Sequence, residues 1–70
     1  MIEIGNLVRV TLGAPIKVNS WPYSGESNSL LPAGTISLVI AKSDRPYDEF
    51  ICLTGEKTYY IDKHFLEKLV

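Results

Sequence analysis

The sequence has almost none of the residues that bind metals or form covalent cross-links. Its 70 residues include one cysteine, Cys52, and one histidine, His64. A lone cysteine cannot form an intramolecular disulfide, so the chain is not a disulfide-rich secreted scaffold. One cysteine and one histidine also fall short of the ligands that a zinc site needs, and we predict no metal and no cofactor.

The chain also lacks an excess of charge of either sign. Seven basic residues oppose eight acidic ones, which gives a net charge of -1, and the two kinds are interspersed along the sequence. A nucleic-acid-binding domain usually carries a basic face large enough to shift the total charge. Nucleic acid is therefore a disfavoured partner, unless folding brings Arg9, Lys17 and Lys42 together in a local patch.

Long hydrophobic runs are absent as well. No stretch approaches the roughly 20 consecutive apolar residues of a membrane-spanning helix. The first ten residues, MIEIGNLVRV, have neither the basic cluster nor the apolar run of a signal peptide. We therefore expect a cytoplasmic protein with no membrane partner.

The chain does have enough apolar residues for one core. Hydrophobic residues make up 46% of the sequence, which is usual for folded proteins. A chain of this length forms one domain and buries only about 60% of the surface that it exposes when unfolded. We expect residues 1–70 to form a single domain whose apolar side chains are nearly all needed in one core.

Short apolar and alternating segments predict an all-β fold of five strands closed into a small barrel. Asp62 is predicted to cap a single 3₁₀ turn at residues 63–65, before the last strand. A terminal helix is the competing interpretation, but about eight residues are too few for a helix to be stable alone. The predicted strands are Leu7–Leu12, Gly34–Lys42, Glu49–Leu53, Thr58–Ile61 and Leu66–Val70.

The alternation of side chains along these strands predicts which residues form the core. Tyr59 and Tyr60 are consecutive on one strand and face opposite ways, so we expect one to be buried and the other to lie on the surface. The predicted core residues are Val8, Val10, Ile36, Ile40, Phe50, Ile61, Phe65 and Leu69.

Residues 13–32 are predicted to be one long irregular loop, because they are rich in proline, glycine, serine and asparagine. Ile16 and Val18 are expected to pair only briefly. Trp21 and Tyr23 are exceptional in this polar composition, and large aromatics in a loop often anchor a partner. The alternative is that Trp21 folds back and plugs one end of the barrel.

Four segments carry a resemblance to a known class of small barrels. They are IGNLVRV at 4–10, GTISLVI at 34–40, the paired Tyr59–Tyr60, and IDKHFLEKL at 61–69. In this order they resemble the SH3-like barrels. That fold has five strands, a long loop after the first strand and a 3₁₀ turn before the last.

Within that class, the two ends of the chain look like small accessory proteins of larger complexes, such as the SH3-like accessory protein of photosystem I and the variable chain of ferredoxin–thioredoxin reductase. Short barrel proteins of tailed phages look similar too. Domains of this fold that bind proline-rich peptides have an acidic long loop and a tryptophan at the start of the third strand. Here the long loop has only Glu26 and the strand begins with Glu49, so the residues of the peptide groove are not carried over.

No group of polar residues in the sequence has the composition of a catalytic site. His64 has no nucleophile and orienting partner nearby in sequence, and Cys52 lies in mid-strand, where a buried thiol is unreactive. Asp44, Asp48 and Glu49 fall in and beside a proline-containing turn, where carboxylates usually cap backbone N–H groups. We predict that the protein is not an enzyme.

The remaining hypothesis is a protein-interaction module or an accessory or regulatory subunit, including a phage-encoded modulator of a host protein. Its predicted binding residues are Trp21 and Tyr23 in the long loop and Tyr47 in a later turn, because these are large aromatics where turns usually have small polar residues. The alternative is a small barrel that binds nucleic acid by stacking bases on the same aromatics beside Lys42 and Arg45. The sequence does not predict an oligomeric state.

Overall fold

A computed structural model describes residues 1–11, 16–22, 28–43 and 45–69. Within these residues the chain forms one curled antiparallel sheet of seven strands, in the order β3-β2-β6-β5-β4-β1-β7. A single 3₁₀ turn, Lys63–Phe65, separates the last two strands. The strands are β1 (Leu7–Val10), β2 (Ile16–Ser20), β3 (Asn28–Leu31), β4 (Ile36–Lys42), β5 (Glu49–Thr54), β6 (Lys57–Asp62) and β7 (Leu66–Lys68).

The predicted all-β class is confirmed, but the closed five-stranded barrel is wrong. The five predicted strands correspond to β1, β4, β5, β6 and β7, and the described chain has two more, β2 and β3. In the described residues the two edge strands, β3 and β7, do not pair with each other, so the sheet is an open half-barrel. This shape is compatible with a small β-barrel fold.

The two additional strands lie inside residues 13–32, which were predicted to be a loop. Ile16 and Val18 are buried and Lys17 between them is exposed, so this short segment has the alternation of a half-buried strand. It pairs with β3, where Leu31 lies opposite Ile16. The signal is only a few residues long, and the surrounding proline, serine and glycine outweigh it.

The core lies on the concave face of the sheet, which we call the inner face. Every strand contributes at least one buried side chain to it. The members of this cluster are Val8, Val10, Ile16, Val18, Leu31, Val39, Phe50, Cys52, Tyr59, Ile61 and Leu66, with Ile2 and Phe65 packed against them.

Half of the predicted core residues are confirmed as buried. Phe65 and Leu69 are half-buried. The prediction was wrong for Ile36, which is 48% exposed, and Ile40 is only half-buried. The confirmed residues are Val8, Val10, Phe50 and Ile61.

In β4 the prediction assigned the wrong set of alternating residues to the core. Ser37 lies opposite Val8 and faces the core with Val39, and the register against β5 shifts at a bulge between Val39 and Ala41. A nearly continuous apolar strand has no alternation that marks its inner face, and serine there would normally argue for the outer one. The hydroxyl of Ser37 is hydrogen-bonded to that of Thr54, which removes most of the cost of burying it.

The predicted 3₁₀ turn is confirmed, and β6 also begins after a tight glycine turn. Gly55 has a φ of 64° and opens the β5–β6 hairpin. Glu56 has no positive φ, so this is the pattern of a type II′ turn, which places glycine first. At the other end of β6, the side chain of Asp62 caps the 3₁₀ turn by accepting a hydrogen bond from the backbone N–H of His64 at 2.8 Å.

Tyr59 and Tyr60 are both buried, at 6% and 5% exposure, so the prediction of one surface tyrosine was wrong. They do face opposite ways, and Tyr59 belongs to the core. Tyr60 lies on the convex, outer face beside Ile51, its partner across the ladder, which is also buried. The outer face of the central strands is therefore covered by something other than the core.

The assignment of inner and outer faces predicts opposite results for one substitution at two isoleucines. Ile61→Ala, at a fully buried position, should lower the free energy of unfolding by about 2–5 kcal/mol. Ile36→Ala, at an exposed position, should change it by less than about 1 kcal/mol. Urea unfolding measures both. Ile61→Val, with an expected loss of about 0.5–1.5 kcal/mol, keeps the test measurable if the alanine variant does not fold. Equal losses at the two positions would contradict the assigned faces.

Candidate functional site

A cleft of about 570 Å³ lies between the connection from β4 to β5, which contributes Ser43, Tyr47 and Asp48, and the 3₁₀ turn. The N-terminal residues form its other side. The lining residues are Met1, Ile2, Lys42, Ser43, Tyr47, Asp48, Glu49, Phe50, Lys63 and His64.

The floor of this cleft is apolar, and its rim includes one large aromatic side chain. Phe50 is a core residue with 7% exposure, and Ile2 packs against the core beside it. Tyr47 stands at the rim with 64% of its surface exposed. An exposed tyrosine and a buried phenylalanine in the same lining offer an aromatic contact surface that a ligand can remove from water.

Two contacts join the two walls of the cleft. The backbone N–H of Lys63 donates to the carbonyl oxygen of Asp48 at 2.9 Å. The ammonium of Lys63 lies 3.4 Å from a carboxylate oxygen of Asp48. Both side chains of this ion pair are largely exposed, so the backbone hydrogen bond is the firmer of the two links.

His64 and Asp62 form a second pair at the edge of the cleft. Nδ1 of His64 is 2.7 Å from Oδ1 of Asp62. The pKa of the Asp62 carboxyl is lowered, first by the hydrogen bond from the backbone N–H of His64 and then by the imidazole. An ionised carboxylate only accepts hydrogen bonds, so Nδ1 is the protonated nitrogen in this contact.

A histidine held by a carboxylate is one part of a catalytic triad. A triad also needs a nucleophile that is hydrogen-bonded to the other ring nitrogen. Among the residues that the structure describes, the hydrogen bonds of His64 all go to Asp62. Ser43 lines the same cleft, but its hydroxyl accepts a hydrogen bond from the backbone N–H of Arg45 at 3.0 Å. These hydrogen bonds connect the histidine to no hydroxyl or thiol.

Arg45 covers the outer face of the sheet next to the cleft. Its Nε and Nη2 donate to the two carboxylate oxygens of Glu49 at 3.0 and 2.8 Å. Its Cζ lies 3.9 Å from the ring centre of Tyr60 and 5.6 Å from that of Tyr47. The hydrogen bond to Glu49 is the main cause that raises the pKa of Arg45. This arginine explains why Tyr60 is buried on the outer face.

The same arrangement holds the turn that carries Tyr47. The backbone N–H of Ser43 donates to the carbonyl of Glu49 at 3.1 Å, which closes the base of the turn. The Arg45–Glu49 pair then ties the interior of the turn to β5. Tyr47 is therefore presented at the rim by a turn with several independent restraints.

This role of Arg45 was not predicted from the sequence. The sequence indicated acidic residues around the turn but not which strand face they lie on. In the structure Glu49 forms an ion pair with Arg45, and Asp48 forms one with Lys63. Asp44 lies outside the described residues. The sequence shows an arginine four residues before a glutamate. It does not show that the ring of Tyr60, on β6, lies beneath this arginine.

The three predicted binding aromatics do not form one described cluster. Tyr47 lines the cleft, and Tyr23 lies outside the described residues. Trp21 is 38% exposed, is not part of the core cluster, and does not line the cleft. Its backbone N–H donates to Thr58, at the opposite end of β6 from Asp62. Those ends are about 13 Å apart at the usual rise of a strand.

The basic residues proposed to converge are also separated. Arg9 and Lys17 point outward from β1 and β2, and three strands lie between these two in the sheet order. Lys42 pairs with Phe50 and so lies on the inner face. Arg9 is 3.1 Å from Glu67, which offsets its charge.

Other reactive groups in the described chain are unsuited to chemistry. Burial raises the pKa of the Cys52 thiol to about 12, so it is protonated at neutral pH and unreactive. The described residues contain no group of three or more histidine, cysteine or acidic side chains placed to hold a metal ion. They also contain no helix with the length and hydropathy needed to span a membrane.

Comparison of the chain with protein-family models, curated proteins and solved structures found no match. The cleft and the residues around it are therefore the basis for assigning a function.

The Arg45–Glu49 pair should be more strongly coupled than the exposed Arg9–Glu67 pair. Arg45 and Glu49 side chains are 24% and 14% exposed, and both carboxylate oxygens are engaged. Double-mutant cycles with Arg→Met and Glu→Gln should give a coupling of about 1 kcal/mol or more for this pair. The matched cycle on Arg9 and Glu67 should give about 0.2–1 kcal/mol. A coupling at Arg45–Glu49 no larger than the control would show that it does not restrain the turn.

The Asp62 cap should make stability depend on pH in acid. A carboxyl whose pKa is lowered by folding stabilises the folded state above its unfolded value of 3.8, and this contribution is lost as the pH falls through the lower folded value. Asp62→Asn keeps the cap without the charge. Urea unfolding at neutral pH and below pH 3.8 should show a greater loss for the natural protein than for this variant. Asp62→Ala should instead lose about 0.5–2 kcal/mol already at neutral pH. Parallel pH profiles for the natural protein and Asp62→Asn would contradict the assignment.

Proposed function

We propose that this protein is a non-enzymatic interaction module with an SH3-like arrangement of strands, and that it binds a segment of a partner protein in the cleft. The observation that carries this proposal is a cleft of about 570 Å³ whose lining combines the exposed Tyr47 with the buried Phe50. Such a module acts as an accessory or regulatory subunit.

The size and lining of the cleft support recognition of a side chain and its neighbours. Ligand sites are typically about 300–1,000 Å³, with an apolar surface and a few polar groups that fix orientation. Here the apolar surface comes from Phe50, Ile2 and Tyr47, and the polar groups come from Lys42 and His64. Tyrosine at the rim is among the residue types that most often dominate binding energy.

The restraints on the turn also support binding. A flexible loop must lose conformational freedom when it binds, and this loss weakens the interaction. Tyr47 lies on a turn closed by Ser43 and Glu49 and linked to Lys63 through Asp48. A preorganised aromatic rim avoids much of that entropic cost.

The alternative of nucleic-acid binding has weaker support. Arg45, which was expected to contact phosphate, is already bound to Glu49 and stacked on Tyr60. Trp21 lies at the other end of β6 from the cleft, so the aromatics do not form one stacking platform with Tyr47 in the described residues.

Peptide selection tests the proposed function without knowledge of the natural partner. A random peptide library displayed on phage should yield binders, and amide chemical shifts on adding a selected peptide should change around Tyr47, Phe50 and His64. Tyr47→Ala should weaken that peptide about tenfold or more, a loss usual for an aromatic anchor. Leu30→Ala is the matched control, because Leu30 is 65% exposed and lies on β3.

Two results would contradict this proposal. One is a library that yields no binder above background, and the other is shift changes that map outside the cleft. Trp21→Ala, measured in parallel, tests the aromatic predicted from sequence. A loss of binding with an unchanged melting temperature would add Trp21 to the interface, and equal losses at Leu30 and Tyr47 would remove Tyr47 from it.

A further inference from the structure

We propose that the partner segment carries an aspartate or glutamate next to a large apolar side chain, and that Lys42 receives this carboxylate while the apolar side chain fills the space over Phe50. This inference rests on the proposed function, because it names the chemistry of the segment that the cleft binds.

Of the charged side chains that line the cleft, all but Lys42 are paired with a side chain of opposite charge. Glu49 is bound by Arg45, and Asp48 and Lys63 lie 3.4 Å apart. His64 is paired with Asp62 just outside the lining. Lys42 makes no side-chain ion pair or hydrogen bond with any residue of the described ranges. Among the side chains that line the described part of the cleft, Lys42 therefore carries the one positive charge with no ion-pair partner.

Lys42 is placed where a partner can use this charge. It is the last residue of β4 and lies opposite Phe50 in the ladder, on the inner face of the sheet. Its ammonium therefore belongs beside the apolar floor rather than with the charges of the outer face. A carboxylate bound there would sit partly shielded from water, where a charged hydrogen bond is stronger than on an open surface.

The shape of the site favours an extended chain. A second, shallower groove of about 370 Å³ shares Met1, Ile2, Lys42 and Phe50 with the cleft and continues along Glu3 and Ile4. Lys42 thus stands at the junction of two connected depressions. A peptide can follow such a path with successive side chains, whereas a compact small molecule would occupy only one part of it.

The negative charge of Glu3 makes one end of this path unfavourable for an acidic residue of the partner. Glu3 lines the shallow groove but not the deeper cleft, and none of the ion pairs in the described chain includes it. A second acidic residue of the partner would be repelled at that end. We therefore expect the carboxylate at Lys42, the apolar side chain over Phe50, and no acidic residue beside Glu3.

The test compares two displayed peptide libraries, one fully random and one with no aspartate or glutamate. The natural protein should enrich binders from the random library, with an acidic residue next to Phe, Leu, Ile, Met or Trp. Synthetic, fluorescein-labelled copies of these binders are then titrated against the protein and its variants. Lys42→Gln should weaken them about threefold to tenfold, and Lys42→Arg should keep most of the affinity.

A double-mutant cycle identifies the contact. Replacing the acidic residue of the peptide by its amide should weaken binding to the natural protein but have little effect on Lys42→Gln. Lys17→Gln is the matched control, because Lys17 is an exposed strand lysine on the outer face. Unchanged melting temperatures for the Lys42 variants show that the losses are not caused by unfolding.

The possible outcomes separate this inference from the proposed function. Peptides that bind in the cleft without acidic enrichment, or that bind Lys42→Gln as well as Lys17→Gln, overturn the inference and leave the proposed function intact. No cleft-binding peptide from either library overturns both. Displacement of the selected peptides by a single-stranded oligonucleotide, in a way that depends on Lys42, would favour phosphate over carboxylate and also overturn the inference.

Discussion

The contact on which most of this structure depends is the stack of the Arg45 guanidinium on the ring of Tyr60. A chain of 70 residues that folds into one sheet has two faces to cover but only enough apolar side chains for one core. The central strands nevertheless bury Ile51 and Tyr60 on the outer face. Arginine covers this second apolar surface because its flat cation can lie on an aromatic ring while its edge donates both hydrogen bonds to Glu49.

The cleft follows from the same contact. Arg45 and Glu49 bring the β4–β5 connection close to the sheet, and the carbonyl of Asp48 in that connection accepts the N–H of Lys63. The 3₁₀ turn is fixed independently by its Asp62 cap. The backbone hydrogen bond from Lys63 to Asp48 thus joins the two turns directly, and both turns line the cleft together with Phe50.

Much of this fold could be predicted because it depends on local chemistry. The positive φ at Gly55, the cap at Asp62 and five of the strands each follow from a few neighbouring residues. The phase of β4 and the burial of Tyr60 could not be predicted, because each depends on a residue distant in sequence: Thr54 bonds Ser37, and Arg45 covers the tyrosine. For the candidate site, Tyr47 was predicted from its type and its place in a turn, and it lines the cleft. The cleft itself could not be predicted, because its lining comes from segments that are distant in sequence.

Within the described residues the open sheet offers a partner two other places to bind, its unpaired edges, and both are poor templates. An exposed edge invites strand addition unless it is short, charged or interrupted by proline. The β7 edge has three residues, of which Glu67 and Lys68 are exposed and charged. The β3 edge has four and is followed directly by Pro32, which has no N–H to extend a ladder. With both edges protected in this way, side-chain recognition in the cleft is the better-supported mode of binding, and it is there that the described chain leaves one lysine without a partner.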